Sequence, residues 1–168
     1  QDNKDEKHQL ALFSSQKSNS MAMSYISGDE VQKQHELIGK YKVIMGKVVP
    51  RGGEVGVDPS VGYRVTSTLQ VLSPSSVFTD SYLLLAAFDS KAEAIHFAEY
   101  MCLRFPRFLL HETYSSMNIS KQNFRFVPFL DYSKEWTDEE LFKRYGCNEE
   151  EISMIESIIR PMEYVFHE

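Results

Sequence analysis

Residues 78–105 read FTDSYLLLAAFDSKAEAIHFAEYMCLRF, and this stretch decides the fold class. Its first half contains an apolar run, Tyr82 to Phe88. Within it, Leu83-Leu84-Leu85-Ala86-Ala87 leaves no polar face, the pattern of a strand buried on both sides. A strand is therefore expected over 78–88. The second half changes period. Ser90 is followed three residues later by Glu93, a capping box. Ala94, Ile95, Ala98, Met101, Cys102 and Phe105 then recur as one apolar stripe, which predicts a helix over 90–105. Pro106 is expected to interrupt it, with a further turn at Arg107–His111.

Working outward toward the N-terminus, Ser73-Pro74-Ser75-Ser76 reads as a turn. Arg64–Leu72 alternates as a second strand. Pro50–Gly62 holds four glycines and two prolines and reads as a loop. Tyr41–Val49 is rich in β-branched residues and predicts another strand. Ser27 and Glu30 form a further capping box, and a short helix is expected from 28 to 38, stopped by Gly39. Residues 1–20 read as a polar lead-in whose one apolar cluster is Leu10-Ala11-Leu12-Phe13.

Toward the C-terminus, residues 115–122 are polar loop, and Asn123–Phe129 reads as a short strand. Thr137 and Glu140 make a third capping box, for a helix stopped at Gly146. Asn148 caps the next helix, with Glu149–Glu151 in its first turn, where negative charge meets the positive end of the helix dipole. Ile152, Ile155, Ile158 and Ile159 form its buried face, and Pro161 ends it. The sum is an α+β fold: a small mixed or antiparallel sheet with a packed helix, followed by a helical C-terminal tail. Three segments are expected: the lead-in at 1–20, an α+β domain at 21–130, and an acidic helical tail at 131–168 packed on it.

Composition bounds the function. Hydrophobic residues make up 42% of the 168, enough for a real core in one domain. No apolar run approaches the roughly 20 residues that span a bilayer, and no secretory signal is evident, so a cytoplasmic location is expected. Two cysteines, Cys102 and Cys147, read as free thiols of a reducing compartment. The first residue is Gln1, as expected of a piece cut from a longer chain. The net charge of −6 is unevenly spread: residues 31–130 carry eleven basic and eight acidic side chains, residues 131–168 four basic and eleven acidic. The acidity sits in the tail, and the middle is mildly basic.

No catalytic constellation emerges. The chain has no Pro-Pro pair, which the base-gripping loop of an adenine methyltransferase needs. Arg51-Gly52-Gly53-Glu54-Val55-Gly56 follows a strand but opens no helix, unlike a dinucleotide-binding turn. Asp5-Glu6-Lys7 lacks the strand that a metal-dependent nuclease site would place under it, and Glu149–Glu151 is a helix start. There is no Gly-x-Ser-x-Gly elbow. Cys102 lies on an apolar helix face, and five scattered histidines make a Cys/His metal site improbable. No catalytic, cofactor or metal residue is therefore assigned. Binding remains. Lys40, Lys42, Lys47, Arg51 and Arg64 lie along one strand, its glycine loop and the next strand, where phosphate contacts give affinity and a few side chains can read base edges. Tyr41 and Tyr63 stand nearby to stack or hydrogen-bond.

Met23-Ser24-Tyr25-Ile26-Ser27, Asp29-Glu30-Val31 and Leu37-Ile38-Gly39-Lys40-Tyr41-Lys42-Val43 resemble a segment of bacterial type II restriction-modification adenine methylases, a family that includes fused restriction endonuclease–methylase enzymes. Phe78-Thr79-Asp80-Ser81-Tyr82-Leu83 is similar to a strand of that family. The tail resembles its C-terminal end more closely, in Phe126-Val127-Pro128-Phe129, Trp136-Thr137-Asp138-Glu139-Glu140-Leu141-Phe142, Tyr145-Gly146, Glu149-Glu150-Glu151-Ile152 and Ile155-Glu156-Ser157-Ile158-Ile159-Arg160-Pro161-Met162. The resemblance covers about residues 21–163. It implies a target-recognition region, separated from the N-terminal methyltransferase half that carries the methyl-donor and adenine motifs. It further implies a parent protein that binds a specific double-stranded DNA sequence with S-adenosylmethionine as cofactor, none of it held by this piece. Cleavage by the parent would follow for a fused member. Lys121 and Arg125 are expected to sit near the DNA side. The glycine loop and the Ser73–Ser76 turn depart from the family pattern, so no target sequence can be carried over. A second expectation comes from another class: the acidic tail docks the missing methyltransferase half or a partner subunit.

Overall fold

The apolar run around Leu83 forms a strand, but the strand begins at Tyr82 rather than 78. The computed structural model describes residues 4, 5, 7, 9–15, 21–48, 60, 62–114 and 119–168. In chain order these form β1 (Leu10–Ser15), β2 (Met21–Ile26), β3 (Tyr41–Gly46), β4 (Leu69–Leu72), β5 (Ser76–Phe78), β6 (Tyr82–Phe88), α1 (Lys91–Cys102), α2 (Arg104–His111), α3 (Asp138–Tyr145), α4 (Glu149–Ile158) and β7 (Tyr164–His167). Single 3-10 segments occupy Gly28–Glu30, His35–Leu37 and Lys121–Phe126. The fold is mixed α+β.

Two mixed sheets organise it. The larger has the order β6-β3-β4-β7, and the smaller β2-β1-β5. Pairing is antiparallel except for β4 with β7 and β1 with β5. Strand β3 lies inside the larger sheet, and Val43, Ile44 and Met45 are all fully buried. Side chains alternate across a strand, so Val43 and Met45 join Val71, Ala94, Phe97, Ala98 and Met101 on the helix side. Ile44, with Leu72 and Tyr82, meets Phe13 of β1 on the other side. The β3–β6 register shifts between Val43 and Ile44, leaving Leu85 as the extra residue of a bulge. Leu83, Leu85 and Ala86 all consequently pack toward the helix-side core.

Several expectations are corrected. Residues 78–88 are two strands in different sheets, because Thr79-Asp80-Ser81 turns the chain: the Tyr82 N–H donates to the Thr79 carbonyl at 3.1 Å. Residues 64–68 precede β4 rather than belong to it, and Val65 has φ +74°. The helix expected at 28–38 is two short 3-10 segments, separated where Gln34 adopts φ +59°. Its capping contact is nevertheless present, the Ser27 N–H donating to Glu30 Oε2 at 2.8 Å. The strand expected at 123–129 is a 3-10 segment capped by Ser120, whose N–H donates to Asn123 Oδ1 at 2.9 Å. Pro106 does not interrupt a helix. The break falls at Leu103, with ψ 158°, and Pro106 sits in the first turn of α2, where a missing N–H costs nothing.

Neither end is peripheral. The cluster Leu10–Phe13 belongs to the central strand of the smaller sheet, not to a lead-in. Both tail helices begin as expected, the Glu140 N–H donating to Thr137 Oγ1 at 3.2 Å and the Glu151 N–H to Asn148 Oδ1 at 2.9 Å, and α3 stops at Gly146 with φ +69°. Helix α4 ends at Ile158, before Pro161, because Ile159 is already extended. Leu141, Phe142, Ile155 and Ile159 are buried in the main core, and β7 adds an edge strand to the larger sheet. The tail is thus part of the same packed unit. Asp138 joins it to α2, its two carboxylate oxygens accepting from the Phe105 N–H at 2.8 Å and the Arg104 N–H at 3.0 Å. No helix among the described residues is long and apolar enough to cross a membrane.

Candidate nucleic-acid interface

The basic residues singled out from the sequence separate into distinct environments. Lys40 lies just before β3, where its Nζ forms a forked ion pair with Asp89 at 2.7 and 2.8 Å. Lys42, two residues on, points the other way. Its side chain is 1% exposed, and its Nζ donates to the carbonyls of Lys40 at 2.6 Å, Leu37 at 3.0 Å and Ile38 at 3.4 Å. Burial lowers its pKa to about 8. Lys42 ties the 3-10 segment at His35–Leu37 to β3 and is withdrawn from any phosphate-facing surface, a correction to the sequence reading.

Lys47 follows the opposite end of β3, about 20 Å along the strand from Lys40. Its N–H donates to the Ser81 carbonyl at 3.0 Å, and its carbonyl accepts from the Ile119 N–H at 3.1 Å. That second bond brings residues distant in sequence beside the end of β3. Ser120 then caps the 3-10 segment that carries Lys121 and Arg125, both exposed. Arg51 and the Arg51–Gly56 segment lie outside the described residues.

Aromatic side chains interleave with these cations. Arg125 lies over the ring of Phe126, 4.8 Å from its centroid. Phe126 is 59% exposed and Phe129 75% exposed. Lys121 and Phe129 line a groove of about 420 Å³, with Leu84, Phe97, Phe124 and Tyr132 also among its walls. The walls are held by specific contacts: the Tyr100 hydroxyl donates to the Pro128 carbonyl at 2.7 Å, and Phe129 meets Tyr132 edge-on at 5.1 Å. Gln122, between the two cations, is also exposed, whereas Asn123 turns back to donate to the Thr113 carbonyl.

Arg64 belongs elsewhere, beside the bridge that joins Tyr63 to Ile159 near β7. Its Nη2 donates to Thr68 Oγ1 at 2.7 Å. Tyr41 is half-buried against the main core, and Tyr63 stacks on His111 at 5.4 Å. The structure therefore sets the end of β3 at Lys47 beside the start of the segment that carries Lys121 and Arg125, and it gives Lys40, Lys42 and Arg64 other surroundings. Sequence reasoning did not single out Phe126, Phe129 or Gln122 as part of this surface. The alternation of aromatic and basic residues in Lys121–Phe126 was the available signal.

Among the described residues no three His, Cys, Asp or Glu side chains converge as a metal site. Cys102 is screened inside the fold, burial pushing its thiol up to about 12. Comparison with known proteins gives no relative: no protein-family model, curated protein or solved structure matches the chain.

Proposed function

We propose that this chain is a double-stranded-DNA recognition region, and that the face bearing Lys47, Lys121 and Arg125 meets the nucleic acid. The observation that carries this reading is the 3.1 Å bond from the Ile119 N–H to the Lys47 carbonyl. It joins two basic segments that the sequence keeps more than seventy residues apart. Lysine and arginine would position the duplex through its phosphates, while Gln122 and the exposed aromatic rings offer hydrogen-bonding and apolar contacts toward base edges. The sequence resemblance to the recognition region of restriction-modification adenine methylases supports the same reading. It adds that the methyltransferase chemistry, with S-adenosylmethionine, belongs to another part of a longer parent.

Fluorescence anisotropy with mixed-sequence duplex DNA tests the assignment. K47E/K121E/R125E should weaken binding at least tenfold. K40E, at the other end of β3, should change it little. Equal losses from both variants would remove the proposed face.

A second reading rests on the acidic tail. Helix α4 buries only Ile155 among its ten residues, while Met154, three residues after Glu151, is 45% exposed. This face would suit docking onto a basic protein surface of the missing half or a partner subunit. M154E should then abolish assembly with the N-terminal half while sparing DNA affinity. Unchanged assembly would dismiss it.

A further inference from the structure

A second cationic feature lies beside β7, apart from the proposed DNA face. Two extended segments run together there: the Tyr63 N–H donates to the Ile158 carbonyl at 2.7 Å, and the Arg160 N–H to the Tyr63 carbonyl at 3.1 Å. The approach is close enough to demand glycine. At Gly62, with φ +76°, an added Cβ would stand 2.8 Å from the Ile158 carbonyl oxygen. The next positions along the two segments are Arg64 and Arg160. Both residues line an open cleft of about 550 Å³ together with Thr68, Glu163 and Tyr164. That volume falls within the roughly 300–1,000 Å³ of small-ligand sites.

The backbone supporting Arg64 is unusual. Val65 is β-branched and fully buried, yet holds φ +74°. Such a conformation persists only where its surroundings over-determine it, as at ligand clamps. Here the Tyr114 hydroxyl donates to the Val65 carbonyl, and Arg107 Nη1 donates to the Arg64 carbonyl at 3.0 Å. Arg107 is wholly buried and directs its other donors to the carbonyls of Cys102 and Leu103. Arg104 Nε donates to the Ile159 carbonyl at 3.0 Å, next to Arg160. Two further guanidinium groups thus fix the backbone from which Arg64 and Arg160 project. Guanidinium groups match phosphate oxygens with paired, directional hydrogen bonds.

We propose that Arg64 and Arg160 form a two-arginine clamp for a phosphate group, with the Thr68 hydroxyl as an additional polar contact. Among the described lining residues Glu163 is the one carboxylate, with Glu99 hydrogen-bonded to Tyr164 nearby, and both restrain affinity for the anion. The phosphate is either a phosphodiester of the DNA backbone or a free phosphoryl compound. The site is independent of the Lys47–Lys121–Arg125 face.

The test is calorimetric titration of the full chain with inorganic pyrophosphate, using variants whose folding is checked by thermal melting. R64Q/R160Q should reduce affinity at least tenfold, E163Q should raise it several-fold, and K47E/K121E/R125E should leave it unchanged. In the wild-type protein, the Nε–H resonances of Arg64 and Arg160 should shift on titration, a readout that does not depend on the variants' folding. If duplex DNA displaces pyrophosphate and R64Q/R160Q weakens DNA binding, the clamp takes the DNA backbone. If pyrophosphate binds equally well to DNA-saturated protein, the clamp takes a free phosphoryl group. Absence of pyrophosphate binding at millimolar concentration, or binding that leaves both arginine resonances unmoved, would overturn the proposal.

Discussion

The ammonium group of Lys42 lies 2.6 Å from the carbonyl oxygen of Lys40, although the Lys40 side chain itself turns out toward Asp89. Two lysines that look equivalent in sequence therefore do opposite work. One is a surface ion pair, whose value is small, and the other is a buried donor to three carbonyls.

Lys42 gives stability a distinctive pH dependence. Burial lowers its pKa in the folded protein to about 8 from an ordinary 10.5. Between these values the unfolded chain holds more protons than the folded one, so the contribution of Lys42 to stability rises with pH. Cys102 acts in the opposite sense above pH 9, since its folded thiol stays protonated. The difference in unfolding free energy between wild type and K42M removes that background. It should be flat below pH 8 and grow by about 1–3 kcal/mol up to pH 10. A difference independent of pH, measured by urea unfolding, would contradict the burial of this lysine.

Asp138 provides another test, since one carboxylate caps α2 from the first turn of α3. D138A leaves two backbone N–H groups without that partner and should cost about 1–3 kcal/mol. D138N retains one acceptor oxygen and should cost less. Equal melting temperatures for wild type and D138A would show that the tail is not fastened to α2 in this way.

Glycine substitutions should differ sharply by position. G62A combines φ +76° with a 2.8 Å approach to the Ile158 carbonyl oxygen, whereas an added Cβ at Gly39 meets nothing within 4 Å. G62A should destabilise by about 2 kcal/mol or more, and G39A by less than about 0.5 kcal/mol. Thermal unfolding reads both, and similar effects would argue against the paired segments at Tyr63 and Ile159.

The legible part of the fold was that written in local chemistry. Capping residues Thr137 and Asn148 and the stop at Gly146 define their helices without distant partners. The strands missed carry no turn or cap signal of their own and are fixed by their pairing. Leu10–Ser15 is bracketed by Met21–Ile26 and Ser76–Phe78, and Tyr164–His167 pairs in parallel with Leu69–Leu72. In the 3-10 segment at Lys121–Phe126, the alternation of Phe124, Arg125 and Phe126 imitates a strand, while the deciding signal is the Ser120–Asn123 cap. At the candidate site, sequence proximity grouped Lys42 with Lys47, although the Lys42 side chain turns inward and the Lys47 backbone is bonded to Ile119, two residues before Lys121. No local pattern reports that division, because the bond from Ile119 to Lys47 and the carbonyl cage around Lys42 are tertiary.

The most direct measurement is the salt dependence of duplex-DNA affinity for the wild type and for K47E/K121E/R125E, between about 50 and about 200 mM monovalent salt. Each phosphate contact contributes about 0.9 to the slope of log affinity against log salt. Wild-type binding should fall steeply across this range, and the variant's slope should be shallower by about 2 to 3. Absence of wild-type binding at 50 mM salt, or identical slopes for the two proteins, would contradict DNA recognition through this face.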